Sequence, residues 1–360
     1  MQRRQFMKAT AAGLAGFSLA GPLSLSYAQV KNKNENKVSE KTDPAQKWRT
    51  VELTEKITSE ASESTQIWLP IPLAQSSYQE LISTNWTGNF SKAGIMKDKT
   101  YGAPIFYAQW DDGKKMEMQV THEVKLRNRV RPEPSPQEET ALYLKPTEHI
   151  PLDGMVKETA QKIVKAEKNP DKKAKLIYNW IAENTFRDGK VRGCGLGDVK
   201  SLLVSGNLGG KCADLSSLFV GLCRASGVPA REVFGLRVLN SELSKSIGKQ
   251  GDVSKGQHCR AEYYSAGAWV PVDPADVRKV ILEENLKFED PHVVDIRNKL
   301  FGFWEMNWVA FNSARDFSLP PTYSENINYL MYPKLVAGSL QKDGMEPDAF
   351  KYSINSKEII

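Results

Sequence analysis

Residues 209–232 read GGKCADLSSLFVGLCRASGVPARE. Two glycines and a lysine lead into Cys212, and the apolar residues after it recur at positions i, i+3, i+4 and i+7. This spacing places side chains on one face of an α-helix, here Leu215, Leu218, Phe219 and Leu222. The segment SGVP at 226–229 is typical of a helix end. The stretch therefore predicts an amphipathic helix with a cysteine in its first turn.

The position of Cys212 favours a reactive thiol. The first turn of a helix presents unpaired backbone N–H groups and the positive end of the helix dipole, and both stabilise a thiolate. Gly209 and Gly210 carry no side chains that would keep a substrate away. Asp214 in the same turn opposes the thiolate if it points at the sulfur, and stabilises the helix start if it faces solvent. The pattern predicts that Cys212 is a nucleophile.

A thiolate nucleophile needs a proton carrier, and His258 is the candidate among the four histidines. It opens the predicted strand HCRAEYYS, and Asp273 follows the next predicted strand, AWVPV. A turn at Ala266-Gly267 would pair these strands and bring Asp273 beside His258. The carboxylate would then orient the imidazole ring and support its protonated form. We therefore expect Cys212, His258 and Asp273 to act together.

The other histidines have different predicted roles. His122 lies on the apolar face of the period-two segment KKMEMQVTHEVKL, so we expect it to be packed or interfacial. His149 and His292 have no comparable carboxylate arrangement in the sequence, and we interpret both as surface residues.

The four cysteines, at positions 194, 212, 223 and 259, leave a disulfide framework open as an alternative. Cys212 and Cys223 are eleven residues apart on one predicted helix, about 16 Å at the helical rise, whereas a disulfide needs Cα atoms within roughly 7 Å. These two cysteines therefore cannot bond to each other, and Cys223 is predicted to be an inert core thiol. A Cys194–Cys259 pair and a structural disulfide at Cys212 both stay open.

The N-terminus resembles a twin-arginine export signal. Arg3 and Arg4 precede an uncharged segment at 9–28 that ends in the small-x-small sequence SYA. We predict that residues 1–28 are a cleaved signal and that residues 29–47 form a polar linker. The expected location is periplasmic or otherwise exported, with the twin-arginine export machinery as a partner and no stable membrane insertion after cleavage. An uncleaved anchor helix is the alternative.

The formal net charge of +6 comes from the N-terminal segments. Residues 1–28 carry three basic and no acidic side chains, and residues 29–50 carry six basic and three acidic ones, so the remainder is neutral. A neutral body gives no electrostatic footprint for nucleic acid, and we expect none as a partner.

Composition shifts predict the domain organisation. The segment 48–130 is rich in strand formers and is predicted to be a β-rich domain. Prolines at 132, 134 and 136 mark a boundary, after which DGMVKETAQKIVKAE, with Asp153 as cap, and DKKAKLIYNWIAENT read as two helices. Residues 131–282 carry the candidate catalytic residues, and residues 283–360 are predicted to be an extension packed on that core.

Three blocks in this order, GGKCADLSSLFVGLCRASGVPAR, GQHCRAEYY and WVPVDPAD, resemble the bacterial branch of the transglutaminase-like superfamily. The resemblance implies an α+β, papain-like core with the cysteine on a helix packed against an antiparallel sheet. It also implies a catalytic triad of Cys212, His258 and Asp273, and an N-terminal β-rich domain is similar to what such proteins carry. Arg260 departs from the pattern, since many relatives have an aromatic residue there. No EF-hand loop or zinc-ligand spacing occurs, so we predict no metal and no cofactor.

The resulting functional hypothesis is a cysteine hydrolase or acyltransferase that acts on amide bonds through a thioester. The oxyanion would be held by the Cys212 backbone N–H and a second donor that the sequence does not identify. Peptides, proteins and peptidoglycan stems are all candidate substrates, and hydrolysis and transamidation stay open. The alternative is a non-catalytic binding or assembly protein of the cell envelope that retains the fold.

Overall fold

The computed structural model describes residues 47–59, 64–111, 115–130, 132–321, 325–345 and 347–359. The signal predicted for residues 1–28 and nearly all of the predicted linker lie outside the described residues. The described chain belongs to one compact unit that runs from Pro44 to Ile360. Within the described ranges, no helix combines the length and the apolar composition that a membrane span requires.

The N-terminal region consists of strands, as the sequence predicts. Strand β6 buries every second residue, including His122, which confirms both the period-two pattern and the packed position of that histidine. The bounds are β1 Arg49–Ser59, β2 Thr65–Pro70, β3 Gln79–Gly88, β4 Lys92–Lys97, β5 Pro104–Trp110 and β6 Met116–Leu126.

The middle region alternates helices with short and long strands. A 3₁₀ helix spans Gln137–Leu144 and another Lys245–Ile247. The other bounds are β7 Glu133–Pro134, α1 Gly154–Val164, α2 Pro170–Asn184, β8 Phe186–Arg187, α3 Val199–Ser205, β9 Gly209–Gly210, α4 Cys212–Ala225, β10 Ala230–Arg237, β11 Gly251–Asp252, β12 Gln257–Ser265, β13 Ala268–Val272 and α5 Pro274–Glu283.

The C-terminal region returns to strands after one helix. Its bounds are α6 Pro291–Lys299, β14 Trp308–Asn312, β15 Phe317–Ser318, β16 Asn326–Ile327, β17 Lys334–Ala337, β18 Leu340–Lys342, α7 Pro347–Phe350 and β19 Tyr352–Ile359.

Two five-stranded sheets form a sandwich that joins both ends of the described chain. One has the order β11-β19-β1-β6-β3 and the other β18-β17-β2-β5-β4. Apolar side chains from both sheets meet in one buried cluster, for example Val51 and Val120 with Ile67 and Phe106. The last strand, β19, pairs antiparallel with β1 along eight residues. The sandwich is therefore built from N-terminal and C-terminal strands together.

A third antiparallel sheet, in the order β14-β10-β12-β13-β7, carries the helices. Helix α4 lies against β10 and β12, and α1 and α2 pack on α4 in turn. Leu218, Phe219 and Leu222, from the predicted apolar face of α4, are fully buried in that core. Burial of this face against the sheet fixes the orientation of α4. The predicted α+β class with an N-terminal β-rich region is confirmed.

Two local expectations need correction. Asp153 occupies the N-cap position of α1, but its side chain makes no capping hydrogen bond. Helix α2 begins at Pro170 rather than after it, because Asn169 caps the helix by accepting a hydrogen bond from the Lys172 backbone N–H. Proline suits this position, since the first turn of a helix does not need its missing N–H.

Candidate active site

Cys212 is the first residue of α4, and its side chain is buried with 4 % of its surface exposed. Its backbone N–H points out of the helix start and has no acceptor among the described residues, as the first N–H groups of a helix require. The next N–H, that of Ala213, donates to the Cys194 carbonyl at 2.8 Å. One free backbone donor is therefore available beside the sulfur.

Asp214 anchors the start of this helix. Its two carboxylate oxygens accept hydrogen bonds from the backbone N–H groups of Lys211 and Gly197, each at 2.9 Å. Burial raises the pKa of Asp214, and the charge of Cys212 raises it further, against the lowering effect of those backbone hydrogen bonds. Gly195 has a φ of +89°, and a Cβ there would lie 1.9 Å from an Asp214 oxygen. Only glycine therefore fits at this point of the loop.

His258 and Asp273 lie at the open end of the β12–β13 hairpin. The turn at Ala266-Gly267 pairs the strands in register from Ser265–Ala268 back to Ala261–Val272. The His258 Nε2 and the Asp273 Oδ2 lie 2.8 Å apart. The other ring nitrogen, Nδ1, is left for the Cys212 thiol, which hydrogen-bonds to His258. The structure thus brings the three predicted site residues together.

A second carboxylate faces the same ring. The Asp276 Oδ2 lies 3.5 Å from the His258 Nε2. Asp276 is itself bound by Arg237, whose Nη2 donates to its Oδ1 at 2.5 Å and whose Nη1 donates to its Oδ2 at 3.1 Å. All three side chains are buried. The imidazole therefore has two anionic neighbours, one of which is neutralised by a guanidinium.

This environment favours a protonated histidine. Burial and the charge of Arg237 lower the pKa of His258, but Asp276 and Asp273 outweigh them, and the pKa is raised from its ordinary value. Burial alone would raise the pKa of Asp276. The positive charges of Arg237 and His258 overcome that effect and hold the pKa of Asp276 well below its ordinary range. Burial and the Asp276 charge raise the pKa of Asp273.

Three buried thiols meet at the site. Cys194 and Cys259 both hydrogen-bond to Cys212, and all four cysteines of the chain are free thiols. The interaction with Cys194, then that with Cys259, and then that with His258 lower the pKa of Cys212 well below its ordinary value, although burial opposes them. The Cys194 thiol itself donates to the Gln257 carbonyl at 3.3 Å. Cys194 and Cys259 have raised pKa values. The charge is therefore concentrated on Cys212, while its two neighbours stay protonated.

Arg260 does not line the pocket. It is buried behind the triad, where its Nε lies 3.4 Å from the Asp273 Oδ2 and its guanidinium stacks over Trp308 at 4.8 Å. It also donates to the Glu305 carbonyl and the Asn307 side chain. The departure from the family pattern at this position therefore lies in the core beside the triad aspartate and not in the wall of the cavity.

An open cavity of about 390 Å³ lies over Cys212 and His258. One wall is the Gly-rich loop around Gly193 and Cys194, and another is formed by residues 254–257, which precede His258. Tyr332 and Met345 close a further side. The cavity gives a substrate access to the sulfur at the helix start.

The groups His258–Asp273–Asp276 and Glu148–His149–Asp316 are spaced closely enough to hold a metal ion. In the first group, however, Arg237 and Arg260 already place positive charge on both carboxylates. A cation there would meet two guanidinium groups, so the arrangement fits an ion-pair network better than a metal site.

One histidine prediction is wrong. His149 does have a carboxylate partner, because both its backbone N–H and its Nδ1 bind Asp316, at 3.0 and 2.5 Å. The two residues are 167 positions apart in the chain. Sequence spacing gives no indication of a pairing formed only by the tertiary fold. His292 is exposed, as predicted, and lies 3.4 Å from the Ser244 hydroxyl.

With this geometry established, comparisons with known proteins identify the family. The profile described as the transglutaminase-like superfamily matches residues 157–274, which run from α1 to the start of α5. An uncharacterized protein of Haemophilus influenzae is 41% identical over 325 residues, 82% of this chain and 86% of that protein. The chain carries a domain of the transglutaminase-like superfamily and belongs to one family with this Haemophilus influenzae protein. The expected transglutaminase-like core is thereby confirmed.

Two solved structures are similar to this chain. A candidate cysteine protease from Cytophaga hutchinsonii is 15% identical and superposes with a TM-score of 0.51, covering 86% of this chain and 98% of that one. The periplasmic domain of TgpA from Pseudomonas aeruginosa is a looser match, also 15% identical, with a TM-score of 0.35 over 66% of this chain and 77% of that one. The first similarity shows that the two proteins share a fold over most of this chain.

Sequence reasoning did not find several side chains that surround the triad. Asp276 stands three residues after Asp273 in DPAD, and this spacing at a helix start was an available signal. No sequence spacing indicates that Arg237 and Cys194 lie at the site, because Arg237 reaches it from β10 and Cys194 from the Gly-rich loop.

Proposed function

We propose that this chain is a cysteine hydrolase or acyltransferase that acts on amide bonds of peptides or proteins, with Cys212 as nucleophile. One observation supports the proposal above the others. Cys212 lies at a helix start, hydrogen-bonded to an imidazole whose Nε2 lies 2.8 Å from the Asp273 carboxylate. This arrangement has the three roles of a nucleophile, a base and an orienting acid.

In the first step, the Cys212 thiolate attacks the amide carbonyl carbon and forms a carbon–sulfur bond. The oxyanion is positioned to accept a hydrogen bond from the free Cys212 backbone N–H. The carbon–nitrogen bond then breaks, and the His258 imidazolium gives its proton to the departing nitrogen. The products of this step are a thioester on Cys212, a free amine or ammonia, and a neutral imidazole.

In the second step, the neutral His258 accepts a proton from a water molecule or from an amine as that molecule attacks the thioester carbonyl. The carbon–sulfur bond breaks and the thiolate returns. Water yields a carboxylic acid, and an amine yields a new amide. Asp273 holds the ring in place through both steps, since its carboxylate is buried and fixed by the start of α5.

The open cavity supports turnover over a purely structural role. A non-catalytic scaffold has no need for a free path to the sulfur, whereas here about 390 Å³ of space adjoins Cys212 and His258. The proposal also retains export. The twin-arginine sequence within residues 1–28 is the basis for a periplasmic or otherwise exported location.

Two measurements on the full chain test the proposal. Iodoacetamide should label Cys212 in the folded protein, whereas Cys223, whose pKa is raised by burial, should stay unlabelled. A peptide library with a labelled amine should show cleavage or amine incorporation, and Cys212→Ala should lose about a thousandfold or more of that rate. The proposal would be contradicted if Cys212 in the folded protein resists alkylation and if the unaltered chain and Cys212→Ala turn over peptides at equal rates.

A further inference from the structure

The cavity over Cys212 is lined by an excess of basic side chains. Beside the paired Arg237, its basic lining residues are Arg187, Arg192, Lys211, Lys249, Lys255 and Lys279. Among the described residues that line the cavity, none is an aspartate or a glutamate. The chain from residue 51 onward has no net charge. The positive charge is therefore a local property of the pocket.

Few carboxylates outside the lining compensate this charge. Arg187 and Lys279 share one partner, Glu283, at 3.4 and 3.6 Å. Arg192 pairs with Asp343 at the surface. Lys211, immediately before the nucleophile, makes no ion pair with any described residue. Two cations of the wall thus share one carboxylate, and a third has none.

The segment 249–255, which precedes His258, adds to the positive electrostatic potential of the cavity. Hydrogen bonds from Ser254 lower the pKa of Asp252, and the charges of Lys249 and Lys255 lower it further. The exposed carboxylate of Asp252 is therefore near both lysines. Positive charge surrounds the cavity from three directions, namely the Gly-rich loop, the start of α4 and the segment 249–255.

The pKa of Lys279, which lines the cavity, is lowered in part by the positive charge around it. Burial, followed by repulsion from Arg237, lowers its pKa to about 8, although Asp276 and Glu283 oppose the shift. Arg187 also contributes to the lowering. A carboxylate that enters the cavity would relieve this repulsion and would accept charge-assisted hydrogen bonds.

We infer that the acyl donor is an acidic peptide, with carboxylate side chains close to the amide that Cys212 attacks. The inference rests on the proposed function, because the cysteine chemistry is what makes the occupant an amide rather than another anion. A cleft lined by one sign of charge concentrates ligands of the opposite sign and speeds their association. The basic lining therefore selects among amides by the charge of their neighbours.

Kinetics with paired peptides test the inference. Each pair shares one sequence and differs by glutamate or glutamine at the positions that flank the scissile amide. We expect kcat/KM to be about tenfold higher for the glutamate member at low salt, with the ratio falling as salt is added. Equal rates for the two members would overturn the inference and leave the proposed function intact.

Two charge-reversal variants test whether the preference for glutamate peptides arises at the cavity wall. Lys249→Glu should lower the glutamate-over-glutamine ratio several-fold, because it replaces attraction by repulsion at the cavity wall. Lys157→Glu is the matched control, since Lys157 is exposed on α1, does not line the cavity and gives the same change of net charge. An equal change of the ratio in both variants would contradict a role for the pocket.

A binding measurement separates failure of the inference from failure of the chemistry. Fluorescein-labelled tetraglutamate should bind the Cys212→Ala chain in a salt-dependent manner, and tetraglutamine should not. This binding does not depend on turnover, so it tests the preference for an acidic peptide even if no peptide is cleaved. Absence of tetraglutamate binding, or binding of inorganic polyphosphate alone, would overturn the choice of an acidic peptide.

Discussion

At the scale of single residues, the site depends on where one negative charge resides. Three buried sulfurs lie together, and the interactions of Cys212 with Cys194 and Cys259 lower its pKa in the same direction as the helix start and His258. Neither neighbouring thiol competes for the charge, because burial and the proximity of Cys212 raise the pKa of each. Cys194, which the sequence left open as half of a disulfide, thus helps to lower the pKa of Cys212.

The pH dependence of alkylation tests this arrangement. A lowered Cys212 pKa and a raised His258 pKa define a window in which the thiolate and the imidazolium coexist. Iodoacetamide labelling of Cys212 should therefore stay fast well below the pH at which an ordinary thiol, with a pKa of about 8.5, loses its reactivity.

Replacement of Cys194 tests whether this residue lowers the pKa of Cys212. Cys194→Ala removes the largest contribution to the lowered Cys212 pKa, so that pKa should rise and labelling at about pH 6 should slow by roughly tenfold, the order of one hydrogen bond to a charged group. A rate at that pH equal to the unaltered chain would contradict the role of Cys194.

At the scale of elements, Asp273 connects a hairpin to a helix. Its Oδ2 binds His258 at the end of β12–β13, and its Oδ1 accepts the Asp276 backbone N–H at 3.0 Å as the N-cap of α5. One carboxylate therefore caps a helix and orients the imidazole. The cap also places Asp276 in the first turn of α5, within reach of Arg237.

Two substitutions of Asp273 separate its functions. Asp273→Asn keeps an oxygen for the cap but removes the charge that supports the imidazolium, so kcat should fall by about 10²–10⁴-fold with little change in stability. Asp273→Ala should lose activity as well and should also lower the free energy of unfolding by about 1 kcal/mol, the usual contribution of a cap. Peptide turnover and denaturant unfolding of both variants are the measurements. An Asn variant with near-normal kcat would contradict the orienting role.

At the scale of the whole molecule, the last strand connects the sandwich to the pocket wall. Strand β19 pairs with β1 and also with β11, just before the segment that leads to His258. The Val253 N–H donates to the Ile354 carbonyl at 2.8 Å, and the Ile354 N–H donates to the Ser254 hydroxyl at 2.9 Å. The wall formed by residues 254–257 is therefore held from behind by the C-terminal strand.

This connection predicts cooperative loss of structure and site. Ile354 is buried in the cluster shared by both sandwich sheets, and Ile354→Ala should lower the free energy of unfolding by about 2–4 kcal/mol. Tryptophan fluorescence and the accessibility of Cys212 to alkylation should report one common denaturant midpoint, shifted equally. Lys357→Ala, an exposed position on the same strand, is the control. Separate midpoints for the two signals would show that the sandwich and the site unfold independently.

Features that depend on a local residue pattern could be predicted from the amino-acid sequence. The i, i+4 spacing after Cys212 fixed a helix and its buried face, and the period-two segment at 116–126 fixed β6 and the packing of His122. The short turn at Ala266-Gly267 was enough to bring Asp273 beside His258. In each case the relevant residues are close in the chain, so backbone geometry alone limits where they can lie.

The side chains that reach this site from distant parts of the chain could not be predicted in the same way. Arg237 reaches the triad from β10 and Cys194 from the Gly-rich loop, and Asp316 reaches His149 from 167 positions away in the chain. Their positions follow from how sheets and helices pack, and packing is set by many weak apolar contacts that no short motif encodes. The basic character of the cavity arises in the same way, since its lysines and arginines are scattered in a sequence whose body is neutral.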